Sequence, residues 1–462
     1  MEGLAAYLSS HIYSWADHQL DTTVIPNPKP LSTLPRTVPN LRWRIAGLLC
    51  LASALNYLDR QTLSVLAGTI KTELGLTAQD YSYVTSAFLF SYTAFYFISG
   101  RLVDRFGTRR AFAWSVGGWS VATMLHAGVR SLTGLMGVRM GLGVFESANF
   151  PAGIRAVTEW FPLRERALAV GIFNAGASVG AAVAVPLISV LALQFGWRSA
   201  FVVTGVLGLI WLMFWQRTYH VPAEHPRLSE AERLHITETD ATGTAVPGMA
   251  VPGTAVPGVT AIPLARLLRL PETWACLAAR ILIDPVTYFL NFWIPIYLQT
   301  EQGFDLKALG ASAWIPYVAL ALGTVAGGAI PGRLIRNGWS LHRARMTVMA
   351  VSSGLIPVFY ALLSGAGSPV LALAMIAGLM FFHGTWSNIT LPTELFPKSV
   401  QGTVTGLGGT LGGLAGIGSQ LLIGKTVDQF SYVPIFIFAG LAYGLCFLIV
   451  RLTVKRLGVI VS

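Results

Sequence analysis

Twelve long apolar runs dominate this sequence, and they leave few folds open. They lie roughly at 43–67, 80–100, 111–129, 132–158, 166–193, 198–215, 273–299, 308–332, 344–364, 369–393, 400–424 and 432–450. A helix needs about 20 mostly apolar residues to cross roughly 30 Å of hydrocarbon. Inside that solvent each backbone N–H and C=O must be paired within its own segment, so each run predicts a membrane helix. The runs are long and do not alternate, which disfavours an outer-membrane barrel. Composition closes the other exits. Only 11% of the 462 residues are charged, against about 25% in a soluble domain. The 53% hydrophobic content does not fit disorder, because disordered chains are poor in apolar residues.

The runs fall into two sets of six. A tail (1–41) precedes a first six-helix bundle (42–215), a hydrophilic linker (216–272) leads to a second (273–452), and a short tail (453–462) ends the chain. The linker holds the repeat AVPGMAVPGTAVPG from Ala245 to Gly258. Val-Pro-Gly units favour turns and cannot continue a helix, so this reads as a flexible connector. Glu159-Trp160-Phe161-Pro162 follows span four, and Glu394-Leu395-Phe396-Pro397 follows span ten. Such a weak internal repeat suits two bundles around a central cavity, as in many secondary carriers. Lys and Arg decide the expected orientation. Twenty-four lie in segments on the side of the N-terminus and five on the other, which places both termini and the linker in the cytoplasm. The net charge of +11 is then topology rather than a nucleic-acid signal. The first 40 residues lack an apolar core, so no cleavable signal peptide is expected.

Several chemistries are missing. Gly424-Lys425-Thr426 has Ser419 where a phosphate loop needs its first glycine. The Gly-rich run from Gly402 to Gly418 lacks a complete dinucleotide fingerprint, and close helix packing explains it better. Cys50, Cys276 and Cys446 lie inside apolar runs and form no pair by spacing. No cluster has metal-ligand spacing. No cofactor and no metal are expected, and the chain reads as a carrier rather than an enzyme.

Charged groups at membrane depth cost about 2.5–3.5 kcal/mol each on insertion scales. The spans nevertheless keep Asp59, Arg60, Arg139, Glu146, Arg280 and Asp284. Such residues normally face a bundle interior and mark a substrate or proton path. Arg139 and Glu146 are two turns apart, about 10.5 Å along an axis. That is too far for a direct pair, yet both can line one cavity. Glu146 reads as a carboxylate that loads and unloads a proton, with a structural ion pair as the plain alternative. Tyr57 and Arg60 share a helix face and Asp59 points elsewhere. The planar arginine fork suits a carboxylate, and the tyrosine adds a hydroxyl and a ring. This reads as an anion grip beside a separate proton site, or as packing alone. Arg280 and Asp284, four apart, form a self-contained pair; Tyr288, Asn291, Trp293 and Tyr297 continue that span. His383, Thr385, Trp386 and Asn388 crowd span ten and read as a cavity wall for a sugar or sugar acid, or else as packing glue.

The segment from Gly100 to Arg110 (GRLVDRFGTRR) resembles the signature loop of the major facilitator superfamily. That resemblance implies a cytoplasmic lock built on Gly100, Asp104, Arg105, Gly107 and Arg109. The second-half counterpart, Gly328 to Gly338, has Gly332 where an Asp would be expected. Asn56-Tyr57-Leu58-Asp59-Arg60, Arg139 with Glu146, and Glu159-Trp160-Phe161-Pro162 resemble the anion:cation symporter family. Asp284-Pro285, Gly303 to Lys307, Trp314-Ile315-Pro316 and Leu391 to Pro397 resemble its hexuronate transporter branch. The resemblance covers about 42–452. It implies Asp59 and Glu146 as protonation sites, Arg139 as the coupling residue, and Tyr57, Arg60, Tyr92, Thr385 and Trp386 as sugar-acid contacts. Asn174 stays nearby, while Ala177 and Gly406 stand where galactonate-type members carry Gln and Asn. Tyr288, His383 and Asn388 join the substrate set.

The combined expectation is an all-α membrane protein with 12 transmembrane helices in two six-helix bundles, the major facilitator fold. It would import a hexuronate such as galacturonate or glucuronate together with protons. Its partners would be the organic anion, protons and the bilayer, with no nucleic acid, as a monomer in a bacterial inner membrane. A carrier of another organic anion, a drug exporter and a non-transporting sugar-acid receptor remain open at this point.

Overall fold

The computed structural model describes residues 39–237, 264–386 and 391–457. The repeat at 245–258 and Asn388 lie outside the described residues. Helices occupy most of the described parts of the twelve apolar runs, and the described residues contain no strand. The first half holds α1 (Leu41–Leu74), α2 (Ala78–Phe106), α3 (Thr108–Leu125), α4 (Leu132–Glu146), α5 (Asn149–Trp160), α6 (Leu163–Phe195) and α7 (Trp197–Thr218). Between the halves lie α8 (Glu230–Thr237) and α9 (Leu264–Leu267). The second half holds α10 (Pro271–Phe292), α11 (Ile294–Thr300), α12 (Leu306–Ser312), α13 (Ile315–Arg336), α14 (Leu341–Ser364), α15 (Pro369–Thr385), α16 (Leu391–Leu395), α17 (Lys398–Gln429) and α18 (Val433–Thr453). Among the described residues, seven segments are by length and composition alone able to cross a membrane. Side chains such as Phe195, Val370 and Leu452 are at least 70% exposed, as a lipid-facing belt requires.

Four spans expected to be continuous are interrupted. Span four stops at Glu146 and restarts at Asn149. Pro151 has no N–H to give the Ser147 carbonyl, and the Ser99 hydroxyl bonds that carbonyl instead, at 3.1 Å. Span seven breaks at Trp293, two residues before Pro295, and span eight at Ala313–Trp314, before Pro316. Span ten leaves its helix at Trp386. Breaks in spans four and ten occupy matching places in the two halves, the pattern of discontinuous helices that flank carrier sites.

The internal repeat is structural. Pro162 and Pro397 begin α6 and α17 with the same backbone, φ −63° ψ 153° and φ −64° ψ 153°. Glycines set the helix spacing. Gly408, Gly412 and Gly416 of α17 meet Arg280, Asp284 and Tyr288 of α10, both series stepping by four. A Cβ on Gly412 would sit 2.8 Å from the Asp284 carboxyl carbon. The Gly-rich run therefore serves close packing.

The halves touch mainly at one end. Call the end carrying Arg42, Arg109 and Arg155 the arginine-rich face, and its opposite the far face. On the far side, Asp428 at the end of α17 accepts from the backbone N–H of Ala78 at 2.9 Å and of Gln79 at 2.7 Å. Tyr81 donates to the Phe292 carbonyl at 3.0 Å, and Gln299 to the Val65 carbonyl at 3.0 Å. Gln61 bridges Asn291 and Tyr317 at 3.3 and 3.1 Å. On the arginine-rich face α8 docks on the first half. Glu232 accepts from the N–H groups of Leu41 and Arg42, both at 3.1 Å. It supplies the cap that Asn40 does not.

Candidate functional site

Arg60 is the centre of the buried charge. Its Nε donates to Glu146 Oε2 at 2.6 Å, joining α1 to the last residue of α4. Three rings surround the guanidinium: Tyr57 at 5.2 Å, Phe88 at 5.2 Å and Tyr92 at 4.7 Å. Such rings stabilise a desolvated cation and present two hydroxyls next to it. Glu146 is wholly buried, whereas the Arg60 side chain keeps 15% exposure. One carboxylate thus holds the fork from inside while the open side stays accessible. Tyr57 and Arg60 share a face, as their spacing implies; Phe88, one turn before Tyr92, is a wall that sequence reading missed.

Asp59 turns the other way. It is 1% exposed, and among the described residues neither carboxylate oxygen has a hydrogen-bond partner. Thr204 of α7 and Thr123 of α3 stand beside it, with Glu146 and Arg139 within electrostatic reach. Arg139 is 2% exposed and lies 5.7 Å from the Phe88 ring. Arg139 and Arg60 therefore share one aromatic wall. Glu146 takes Arg60, not Arg139, as its hydrogen-bonded partner, which spacing within one helix could not reveal. Asn56 lies beside Glu146. Buried charges at such density demand partners or a proton.

From the second half Tyr288 reaches this cluster, whereas the contacts of His383, Thr385 and Trp386 lie within that half. Tyr288 of α10 lies within electrostatic reach of Tyr92 and Arg60 and stacks on Phe292 at 6.2 Å. Arg280 pairs with Asp284 at 2.9 Å, one turn along the same helix. His383 Nδ1 is 2.5 Å from the Tyr443 hydroxyl, and its Nε2 is 3.5 Å from Thr287 Oγ1. Thr385 and Ser352 share a hydroxyl bond of 2.6 Å. Trp386 packs edge-on against Tyr443 at 5.4 Å; its indole N–H is buried and has no hydrogen-bond partner among the described residues. Asn174 is exposed on α6.

At the arginine-rich face Asp104 pairs with Arg155 of α5 at 2.6 Å. Arg155 also meets Glu159 at 2.9 Å, and the Thr108 hydroxyl donates to Glu159 at 2.8 Å. Arg109 donates to the Gln216 carbonyl at the end of α7. Arg105 covers the Phe106 ring, and Gly107, with φ 78°, turns α2 into α3. Gly100 has open space around it. In the second half Glu394 pairs with Arg345 at 2.6 Å. Glu159 and Glu394, equivalent in the repeat, each anchor the start of a neighbouring helix.

Comparison with known proteins agrees with this architecture. Residues 49–420 match the family model of the Major Facilitator Superfamily. The chain is 31% identical to the hexuronate transporter of Escherichia coli K12, covering 87% of this chain and 91% of that one. It is 30% identical to the D-galactonate transporter of Escherichia coli O6:H1, covering 87% and 94%. Among solved structures, a bacterial homologue of the human lysosomal transporter Spinster, inward-facing and unoccupied, superposes with a TM-score of 0.67. Its identity is 18%, with 90% of this chain and 98% of that one covered.

Proposed function

The chain belongs to the Major Facilitator Superfamily, within the branch that holds sugar-acid transporters, and on that premise we propose that it imports a hexuronate together with protons. The observation that carries this reading is the Arg60–Glu146 bond at 2.6 Å. Removing one partner of a buried ion pair strands the other, at about 3–5 kcal/mol. Arg60 can therefore release Glu146 only when two things arrive together. A substrate carboxylate must take the fork, and a proton must neutralise Glu146. Coupling of anion to proton follows from that one bond. Tyr57 and Tyr92 offer hydroxyls to the sugar, and Tyr288 offers another from the opposite half. His383, Thr385 and Trp386 line the second-half side.

Asp59 is the second proton site. Its buried, unpartnered oxygens sit where Arg139 can compensate the charged form and where a proton removes the need for compensation. The arginine-rich face is the cytoplasmic one. The far-face bonds of Asp428, Tyr81, Gln299 and Gln61 then close the external side, and the cavity opens inward. The lock at Asp104 and Arg155 ties α2 to α5 within the first half, so that half can rock as a unit.

Reconstituted protein should accumulate labelled galacturonate when a proton gradient directed inward is imposed. Galacturonate that never accumulates above equilibrium, or that moves only against the direction of the protons, refutes the reading.

A further inference from the structure

One buried imidazole has no place in the scheme above. His126 occupies the 3-10 turn His126–Gly128 at the far-face end of α3 and is 1% exposed. Its Nδ1 lies 2.8 Å from the Ala122 carbonyl oxygen. A carbonyl only accepts, so the ring proton is on Nδ1 and Nε2 keeps its lone pair. Among the described residues Nε2 has no hydrogen-bond partner. Phe201 of α7 stacks on the ring at 4.9 Å and 8°.

The polar residues of α3 that lead up to His126 form a stripe. Ser120, Thr123 and His126 follow at three-residue spacing on one side of α3. Ser120 Oγ and Thr123 Oγ1 are also buried and unpartnered. Thr123 and Thr204 stand beside Asp59, while Phe201, one turn from Thr204, covers His126. His126 thus lies about one turn, roughly 4.5 Å of helix rise, beyond Asp59 toward the far face. Arg139 of α4 acts on the ring and opposes a positive charge there, so an imidazolium is short-lived; α7 packs Phe201 against the ring, and α3 brings the carbonyls of Ala122 and Thr123. Buried polar atoms are normally paired. In this row Ser120 Oγ and His126 Nε2 keep no partner among the described residues, and at its inner end Thr123 stands against the Asp59 carboxyl, an arrangement that suits a path better than packing.

Resting on the symport reading, we propose that His126 is the relay through which Asp59 exchanges its proton with the external side. A hydronium ion beyond the far face gives its proton to Nε2 and leaves as water, and the ring becomes an imidazolium. It then returns that proton inward: Thr123 passes its hydroxyl proton to an Asp59 oxygen and receives the one from Nε2. One N–H bond forms and breaks, one O–H bond forms on Asp59, and His126 and Thr123 end unchanged. The Nδ1–H bond to Ala122 holds the ring throughout. His126 touches no substrate; it acts through Asp59 as a positioning and relay residue.

The test uses the full chain in proteoliposomes with labelled galacturonate, comparing His126→Gln and His126→Asn with wild type. The Asn amide can still donate to the Ala122 carbonyl, but neither amide shuttles a proton. Uptake driven by the pH gradient should fall on the order of tenfold or more in both variants, and its acceleration by external acid should disappear. Counterflow exchange at equal pH should stay near the wild-type rate. Gradient-driven uptake by His126→Asn with the wild-type rate and pH profile overturns the relay. So does a parallel loss of uptake and exchange, which marks a structural role. Wild-type vesicles that transport galacturonate without responding to the gradient overturn the symport reading itself, and the relay with it.

Discussion

Glu146→Gln separates binding from pumping with opposite signs. The substitution keeps the shape of the side chain and removes its charge. The fully buried Glu146 now accepts on Oε2 from Nε of the partly exposed Arg60 at 2.6 Å. A bond between charged partners contributes about 1.5–3 kcal/mol net, and one with a neutral partner about 0.5–1.5. The incumbent is therefore weakened by about 1–1.5 kcal/mol, and a substrate carboxylate should bind about five- to tenfold more tightly. Wild-type affinity should rise as the pH falls, because protonation of Glu146 frees the same fork. The variant should lose most of that dependence, since Gln takes up no proton. Gradient-driven accumulation should collapse for the same reason. Calorimetric titration of galacturonate at two pH values, paired with uptake into proteoliposomes, reads all three effects. Weaker binding with an unchanged pH profile, or accumulation at the wild-type level, would show that Glu146 does not compete for Arg60.

Arg60→Lys leaves a point charge where a planar fork stood. Galacturonate affinity should drop by about 1.5–3 kcal/mol, on the order of 10- to 150-fold, and unchanged affinity in the same titration removes the anion grip. Gly412→Ala forces a Cβ against the Asp284 carboxyl and should destabilise the α10–α17 seam by about 1–3 kcal/mol. Gly409→Ala, with nothing within 4 Å of its new Cβ, should not lower the melting temperature; equal losses in detergent melts would contradict the packing account. Glu165 at the start of α6 bonds Arg42 at 2.8 Å and His235 at 3.1 Å. Those hydrogen bonds, that of Arg42 first, hold its carboxyl below the ordinary glutamate range against the opposing effect of burial. A lowered folded-state value stabilises above the unfolded one, about pH 4.3, and the gain is lost as the pH falls through the folded one. Glu165→Gln should therefore melt earlier than wild type at neutral pH and converge with it in acid; a constant gap across the pH range would refute the assignment.

The fold was legible because lipid imposes one rule on every span. Long apolar runs are hard to hide, and the arginine asymmetry sets the expectation for their direction. The breaks were less legible, although Pro151, Pro295 and Pro316 signal them: a proline's missing N–H acts on the carbonyl four residues earlier, not at its own position. Within one helix, spacing correctly put Tyr57 beside Arg60 and sent Asp59 elsewhere. Across helices it had nothing to say. Glu146 meeting Arg60 over 86 positions, and Glu232 capping α1 over 191, depend on which helices become neighbours. His126 passed unnoticed because a single histidine at a helix end is ordinary, and its orphaned Nε2 is visible only in three dimensions.

Asp428 sets a quantity that no substrate contact controls. Thr77 and Asp80 already cap α2 from within its own chain segment, so the helix end survives without help. The N–H groups of Ala78 and Gln79, by contrast, are handed to a carboxylate on the other half. When the two halves part at this end, those donors must turn to solvent. The carboxylate thus works as a counterweight on the resting equilibrium. Trimming it would let the two halves of the empty carrier part at this end more often, altering turnover while leaving solute recognition untouched.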